Sequence, residues 1–229
     1  MGVEGYYWDH PRLKDYLKRI PEGNFLFKAK EKGKSMFILI SGVVELVADV
    51  EGKEFAIFFV EPGQFLGEQA IISERPFVRM FGARAKSNLN ALELDWTIAQ
   101  TLYREDPKLF CDMLMGIFGV AAERLFRANR MVRLLRSSNN VERLASLIIY
   151  FATYVSRETP EGKVVVLPKT AIRYYLDMPE YEVTACLEEL ARRKVLMPLG
   201  EDAYRIPDED KLIAEVPSLA DNMPTIPVI

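Results

Sequence analysis

The chain has 229 residues, 49% of them apolar and 28% charged, a balance that supports one large or two small cores and excludes a disordered polymer. A net charge of −3 gives no global attraction to nucleic acid or anionic membrane, so any such contact must rest on local patches. The two cysteines, Cys111 and Cys186, are too few for an all-cysteine iron–sulfur cluster or a structural zinc site, and they read as buried free thiols.

The start, Met1-Gly2-Val3-Glu4, carries an acid where an export signal has a basic region, and no apolar run follows. Apolar stretches such as Leu144 to Tyr154 are too short and interrupted to span a bilayer, so a cytoplasmic protein with no membrane partner is expected. Tyr6 to Ile20 reads as a short helical lead-in. From Phe25 to Leu94, runs rich in Phe, Val and Ile alternate with turns at Lys32-Gly33-Lys34, Glu51-Gly52-Lys53 and Glu61-Pro62-Gly63, the spacing of an antiparallel roll. Val43 to Val50 and Glu54 to Val60 flank Gly52 as the arms of a hairpin.

After Asp106-Pro107 the period becomes helical. Phe110, Leu114, Ile117, Ala121, Arg124, Ala128, Met131 and Leu135 recur at alternating intervals of four and three, which predicts the seam of a two-stranded coiled coil and hence a homodimer. Arg124, Arg127, Arg130, Arg133 and Arg136 spiral around the same helix and read as a solvated face. Ser137-Ser138-Asn139-Asn140 then breaks the helix, with Asn139 or Asn140 as N-cap of a helix beginning at Val141. A turn-rich loop from Glu158 to Lys163, a strand Val164–Val166, two short helices and a hairpin-like end at Leu199 to Ile206 give the succession of a winged helix-turn-helix. The expected fold is α+β, with four parts: a roll with its N-terminal helix at 1–105, a long dimerisation helix and hinge at 106–138, the winged helix-turn-helix at 139–215, and a tail or strap at 216–229.

The order Ile40-Ser41-Gly42-Val43-Val44-Glu45-Leu46, then Glu61-Pro62-Gly63-Gln64-Phe65-Leu66-Gly67-Glu68, then Arg79 to Ala85, resembles the cyclic-nucleotide-binding β-roll of the CRP/FNR regulators. Asn139 followed by Arg143-Leu144-Ala145 resembles the Asp-x-x-x-Arg-Ile/Leu-Ala joint of the same family. The resemblance implies an effector pocket in which Gly67, Glu68 and the adjacent Gln69 meet a ribose and Arg79 meets a cyclic phosphate. Met80 and Phe81 replace the family's hydroxyl and small residue, and the lost hydroxyl alone removes about 1.5–3 kcal/mol of charge-assisted bonding. At the adenine-reading position the helix carries Ala128 and Asn129. Cyclic AMP is therefore not expected; an ion pair between Glu68 and Arg79 is the plainer role for those two residues. An iron–sulfur cluster is excluded by the cysteine count. Haem is not expected either, since the lone His10 sits in a polar segment and reads as a surface residue.

For the second domain, the resemblance places DNA contacts at Lys169, Thr170, Arg173, Glu180, Tyr181, Glu182 and Thr184. Asp177 stands where the family's turn has Gly, which Asp tolerates because it visits left-handed backbone. The family's recognition helix begins Arg-Glu-Thr-Val, with a further polar residue two positions on; here the same places read Glu180, Tyr181, Glu182, Val183 and Ala185. From Lys163 to Ile206 seven basic residues balance seven acids, where DNA readers are usually basic. The leading reading is a homodimeric DNA-binding transcriptional regulator of the CRP/FNR type, with an unknown effector, weakened DNA affinity and RNA polymerase as a further partner. The alternative is a relative that has lost base readout and serves as a protein-interaction or signalling module. No catalytic or metal-ligating residue is assigned, because no Ser/His, Cys/His or paired-carboxylate frame is present.

Overall fold

The computed structural model describes residues 10–200 and 202–217. The lead-in expected from Tyr6 is described only from His10, where Pro11–Tyr16 form a 3-10 helix followed by a strand, not one continuous helix to Ile20. The expected tail lies outside the described residues beyond Pro217, while Val216 is buried.

The strands of the roll are Leu17–Ile20 (β1), Phe25–Phe27 (β2), Lys32–Gly33 (β3), Ser35–Ser41 (β4), Val44–Val50 (β5), Lys53–Val60 (β6), Phe65–Leu66 (β7), Phe77–Val78 (β8), Gly82–Ala85 (β9) and Leu89–Asp95 (β10). They form two four-stranded sheets, ordered β1-β10-β4-β7 and β2-β9-β5-β6, and a short β3-β8 ribbon, with antiparallel pairing. Glu51 and Gly52 both have positive φ, which matches the right-handed twist of the β5–β6 hairpin. Alternation along β4 sorts its side chains: Met36 and Ile38 join Leu92, Leu94 and Phe65 in one core, while Phe37 and Leu39 join Val44, Val60 and Ala83 in the other.

Asp95 caps the helix Trp96–Glu105 (α1), its carboxylate accepting from the Ile98 amide at 2.8 Å. Pro107 opens the long helix Pro107–Leu134 (α2), where its missing amide costs nothing, and the Asp106 carboxylate accepts from the Leu109 amide at 3.1 Å. Compactness divides the chain within α2. Among the described residues, one unit comprises 10–48 together with Phe58–Leu125; the other comprises Asp49–Ile57 and 126–217.

In the second unit Asn139 caps the helix Asn140–Tyr154 (α3) through its side-chain oxygen, which accepts from the Val141 amide at 2.9 Å. The segment expected to be a loop and a short strand is a hairpin instead, Arg157–Thr159 (β11) and Gly162–Val166 (β12). Lys169–Leu176 (α4) and Glu180–Arg192 (α5) form the helix-turn-helix, and Met197–Pro198 (β13) with Ala203–Ile206 (β14) form the wing. The sheet order is β11-β12-β14-β13. A final helix, Glu209–Ala214 (α6), has no clear periodic signal in the sequence and buries Leu212. Asp177 ends α4 at φ +49°, the left-handed turn its residue type permits. Phe55, from the hairpin tip, lies 6.4 Å from both the Phe151 and Tyr175 rings.

Candidate functional site

In the roll, the chain after β7 turns at Gly67, whose φ of +73° favours glycine. A Cβ there would also overlap Nη1 of Arg79, and one on Gly33 would overlap its Nε. The guanidinium thus lies against two glycine backbones. Its Cζ sits 3.9 Å from the Phe27 ring centre and 4.6 Å from that of Phe77, a cation held between two aromatic rings. Arg79 is 4% exposed; Nη2 donates to the Ser35 carbonyl at 2.5 Å, while Nε and Nη1 have no acceptor. Burial holds its pKa below the usual guanidinium value, against the opposing pull of Glu68, Glu31 and Glu93.

The expected ion pair between Glu68 and Arg79 is replaced by another. Glu68 takes Arg124 of α2, with Nη1 3.3 Å from Oε2, and the other Arg124 nitrogen donates to the Phe65 carbonyl. Arg124 therefore ties α2 to the Gly67–Glu68 turn, a contact 56 positions apart in sequence. Its only sequence signal is a lone polar residue in an apolar stripe. Met80 is 82% exposed, whereas Phe81 is half-buried. Gln69 is exposed, next to Ala70 and Ile71 of the core, and Ala128 and Asn129 are exposed on α2.

The row expected to form the coiled-coil seam meets two environments. Phe110, Leu114 and Ile117 pack against the core of the roll. Met115, Phe118, Leu125 and Val132 are instead exposed, and with Cys111, Ala122 and Asn129 they form a stripe at the same four-three spacing, one residue over. Ala121, Arg124, Ala128, Met131 and Leu135 complete the row first expected. The arginine face is not simply solvated: Arg124 is paired as above, and Arg127 is buried with Cζ 5.2 Å from the Tyr154 ring centre. Cys111 is exposed, so of the two thiols only Cys186 is buried.

In the winged helix, Glu180 lies 3.7 Å from Arg173, linking the two helices of the motif. The Glu182 carboxylate accepts from the Asn140 side-chain Nδ2 at 2.8 Å and from the Tyr181 hydroxyl at 3.1 Å. Arg143 donates to the Leu176 carbonyl and, at 3.0 Å, to the Asn140 side-chain oxygen. The start of α3 thus holds both the end of α4 and the first turn of α5. The sequence marks Asn139 and Arg143 as a joint but does not reveal these partners. Tyr181 is exposed; Thr184 and Lys169 are half-buried, and the Thr170 hydroxyl is buried without an acceptor or donor. The Glu182 bond raises the Tyr181 phenol, and burial raises the Cys186 thiol. Among the described residues no group of three His, Cys, Asp or Glu stands together as metal ligands, and no helix is long and apolar enough to cross a membrane.

A β-roll with a glycine-lined arginine, a long helix and a winged helix-turn-helix follow one another along the chain. The family profile of the cyclic nucleotide-binding domain matches residues 17–106. The chain is 26% identical over 200 residues to the cAMP-activated global transcriptional regulator CRP of Pasteurella multocida, covering 86% of this chain and 88% of that one. It is 23% identical over 188 residues to the CRP of Salmonella typhimurium, covering 81% and 87%. Among solved structures, a CRP/FNR-family transcriptional regulator from Thermus thermophilus aligns with a TM-score of 0.63 at 20% identity, covering 88% of this chain and 98% of that one. The c-di-GMP responsive global regulator CLP of Xanthomonas campestris aligns with a TM-score of 0.65 at 16% identity, covering 86% and 97%. Residues 17–106 are thus similar to a cyclic nucleotide-binding domain, and most of the chain is similar to the CRP relatives in sequence and to CRP/FNR-family regulators in fold.

Proposed function

We propose that this chain is a homodimeric, sequence-specific DNA-binding regulator whose roll answers to an effector other than cyclic AMP. The observation that carries the reading is the α4–α5 pair with its wing, which presents Tyr181, Ala185 and Glu188 on the exposed side of α5 while Val183, Leu187 and Leu190 are buried. The exposed stripe of α2 supports dimerisation, and Asn129 within it is the kind of single polar residue that fixes helix register. In the roll, Arg124 occupies the Glu68 carboxylate and Arg79 covers Gly67, so both groups that would meet a cyclic nucleotide are already engaged. Such a regulator works on cytoplasmic DNA, with RNA polymerase as the partner it addresses there.

The test is selection by the full chain from a randomised duplex pool, with calorimetry against cyclic AMP alongside. Enrichment of a palindrome with half-sites about one helical turn apart supports the reading. Failure to enrich any sequence favours the second reading, a protein-interaction module, for which the exposed Glu180 and Tyr181 form the contact face. Micromolar affinity for cyclic AMP overturns the account of the roll.

A further inference from the structure

The outward side of α5 carries an exposed aromatic ring where a DNA reader usually carries cations. Tyr181 is 72% exposed, and Ala185, its neighbour one turn on, is exposed as well. From Glu180 to Ala191 the helix holds no lysine or arginine. A tyrosine this exposed is ordinarily free to turn, but the Tyr181 hydroxyl donates to Oε1 of Glu182 at 3.1 Å. The other Glu182 oxygen accepts from Asn140 Nδ2 at 2.8 Å, and the Asn140 side-chain oxygen accepts from Arg143 at 3.0 Å. Arg143 is anchored in turn on the Leu176 carbonyl. A chain of hydrogen bonds thus runs from α3 to the tip of an exposed ring. It commits the single phenolic proton, and the same bond raises the phenol's pKa, so the group stays neutral.

What this face offers a base pair is limited. In the major groove guanine presents two acceptors and adenine an acceptor at N7, and phosphates are acceptors too, so each asks for a donor that Tyr181 and Ala185 do not have free. Cytosine N4 asks for an acceptor, but the adjacent Glu180 carboxylate is engaged by Arg173 at 3.7 Å, and Glu188 lies about 10 Å further along the helix, over a different base pair. The C5 methyl of thymine asks only for apolar surface. We infer that Tyr181 and Ala185 are a specificity-determining pair that reads a thymine methyl in each half-site, with Glu182, Asn140 and Arg143 as positioning residues that hold the ring. The inference rests on the DNA-binding reading above and gives it a base preference. A ring held before binding loses little side-chain freedom in the groove, which favours a contact whose individual energy is small.

The experiment takes the palindrome selected by the full chain and replaces its thymines, one symmetric pair at a time, with deoxyuridine, which removes only the C5 methyl. Affinity is read by fluorescence anisotropy. At one pair the exchange should weaken wild-type binding by about fourfold per half-site, the factor for one buried methyl-sized group, and so by about fifteenfold for the dimer. Tyr181→Ala should bind the thymine duplex more weakly and show no difference between the two duplexes at that pair. Tyr181→Phe and Glu182→Ala, which keep the ring but release it, should show a reduced difference, alike in the two variants. Melting curves confirm that folded proteins are compared, and the deoxyuridine series on the wild-type chain needs no variant. A selected palindrome that responds to deoxyuridine at no position, or equally in wild type and Tyr181→Ala, overturns the proposal and leaves the DNA-binding reading standing. A difference lost in Tyr181→Phe but kept in full in Glu182→Ala assigns the contact to the hydroxyl and overturns it too. Selection of no duplex at all overturns the DNA-binding reading, and the proposal with it.

Discussion

The Arg79 guanidinium, with Nε and Nη1 unmatched against the backbones of Gly33 and Gly67, is a residue whose chemistry and surroundings disagree. An arginine buried in this way raises the free energy of the roll unless the flanking rings of Phe27 and Phe77 offset part of its desolvation. Alanine at Gly67 would force a left-handed backbone, costing about 1–2 kcal/mol, and would strike Arg79 as well. We therefore predict that Gly67→Ala destabilises the protein by about 2 kcal/mol or more, and that Arg79→Met in the same chain recovers about 1 kcal/mol of it. Denaturant unfolding of the four proteins in the cycle measures this; additivity within about 0.5 kcal/mol would mean the two residues do not touch. Two tyrosines give a second prediction. Burial pushes the Tyr175 and Tyr204 phenols up to about 12, while an unfolded chain titrates them near 10. The folded state then holds protons that the unfolded state has lost, so stability is complete below about pH 10 and falls as pH rises towards 12. Each phenol contributes a slope of about 1.4 kcal/mol per pH unit in that window. Unfolding curves from pH 9 to 12 should flatten in Tyr175→Phe, and an equal slope in the variant would contradict the assignment.

Among the elements, the strands and helices whose patterning matches one clear environment were legible in the sequence. The β5–β6 hairpin follows from Glu51-Gly52, the start of α3 from Asn139, and the turn after α4 from Asp177. The packing of α2 on the roll was not, because this helix is apolar on two adjacent faces. Phe110, Leu114 and Ile117 recur at the spacing of Met115, Phe118, Ala122 and Leu125, and spacing alone does not say which row covers the helix's own roll. Nor does local pattern pair Glu68 with Arg124, since that contact depends on where α2 lies against the turn at Gly67. The two rows make distinct predictions. Phe118→Asp with Leu125→Asp should give a folded monomer in sedimentation equilibrium, because charges buried in a helix pair cost several kcal/mol. Ile117→Asp should instead lower the melting temperature of the roll, since that side chain packs on its core. A folded dimer from the double variant would place the contact between protomers elsewhere.

For the whole molecule, what matters is which charges remain to meet DNA. The winged-helix segment from Lys163 to Ile206 is neutral, and most of its cations are already engaged: Arg173 with Glu180, Lys163 with Glu209, Arg192 and Arg193 with Glu189, and Arg205 with Glu161. Among the described residues from Lys163 to Ile206, Lys169 and Lys194 have no ion pair, which gives a dimer about four cations for phosphate and a log–log salt slope of about −4. Affinity must then come from base and shape contacts more than from counterion release. Arg173 would add to the phosphate contacts if released, so Glu180→Gln should raise affinity for any duplex by a few-fold and steepen the slope, as read by fluorescence anisotropy. The most direct test of a neutral, sequence-reading dimer is anisotropy of the full chain on the selected palindrome and on its scramble, each across a range of salt. The account predicts tight binding of the palindrome, weak binding of the scramble and a slope near −4 for the former. Equal affinity for both duplexes, or a slope steeper than about −8, would contradict it.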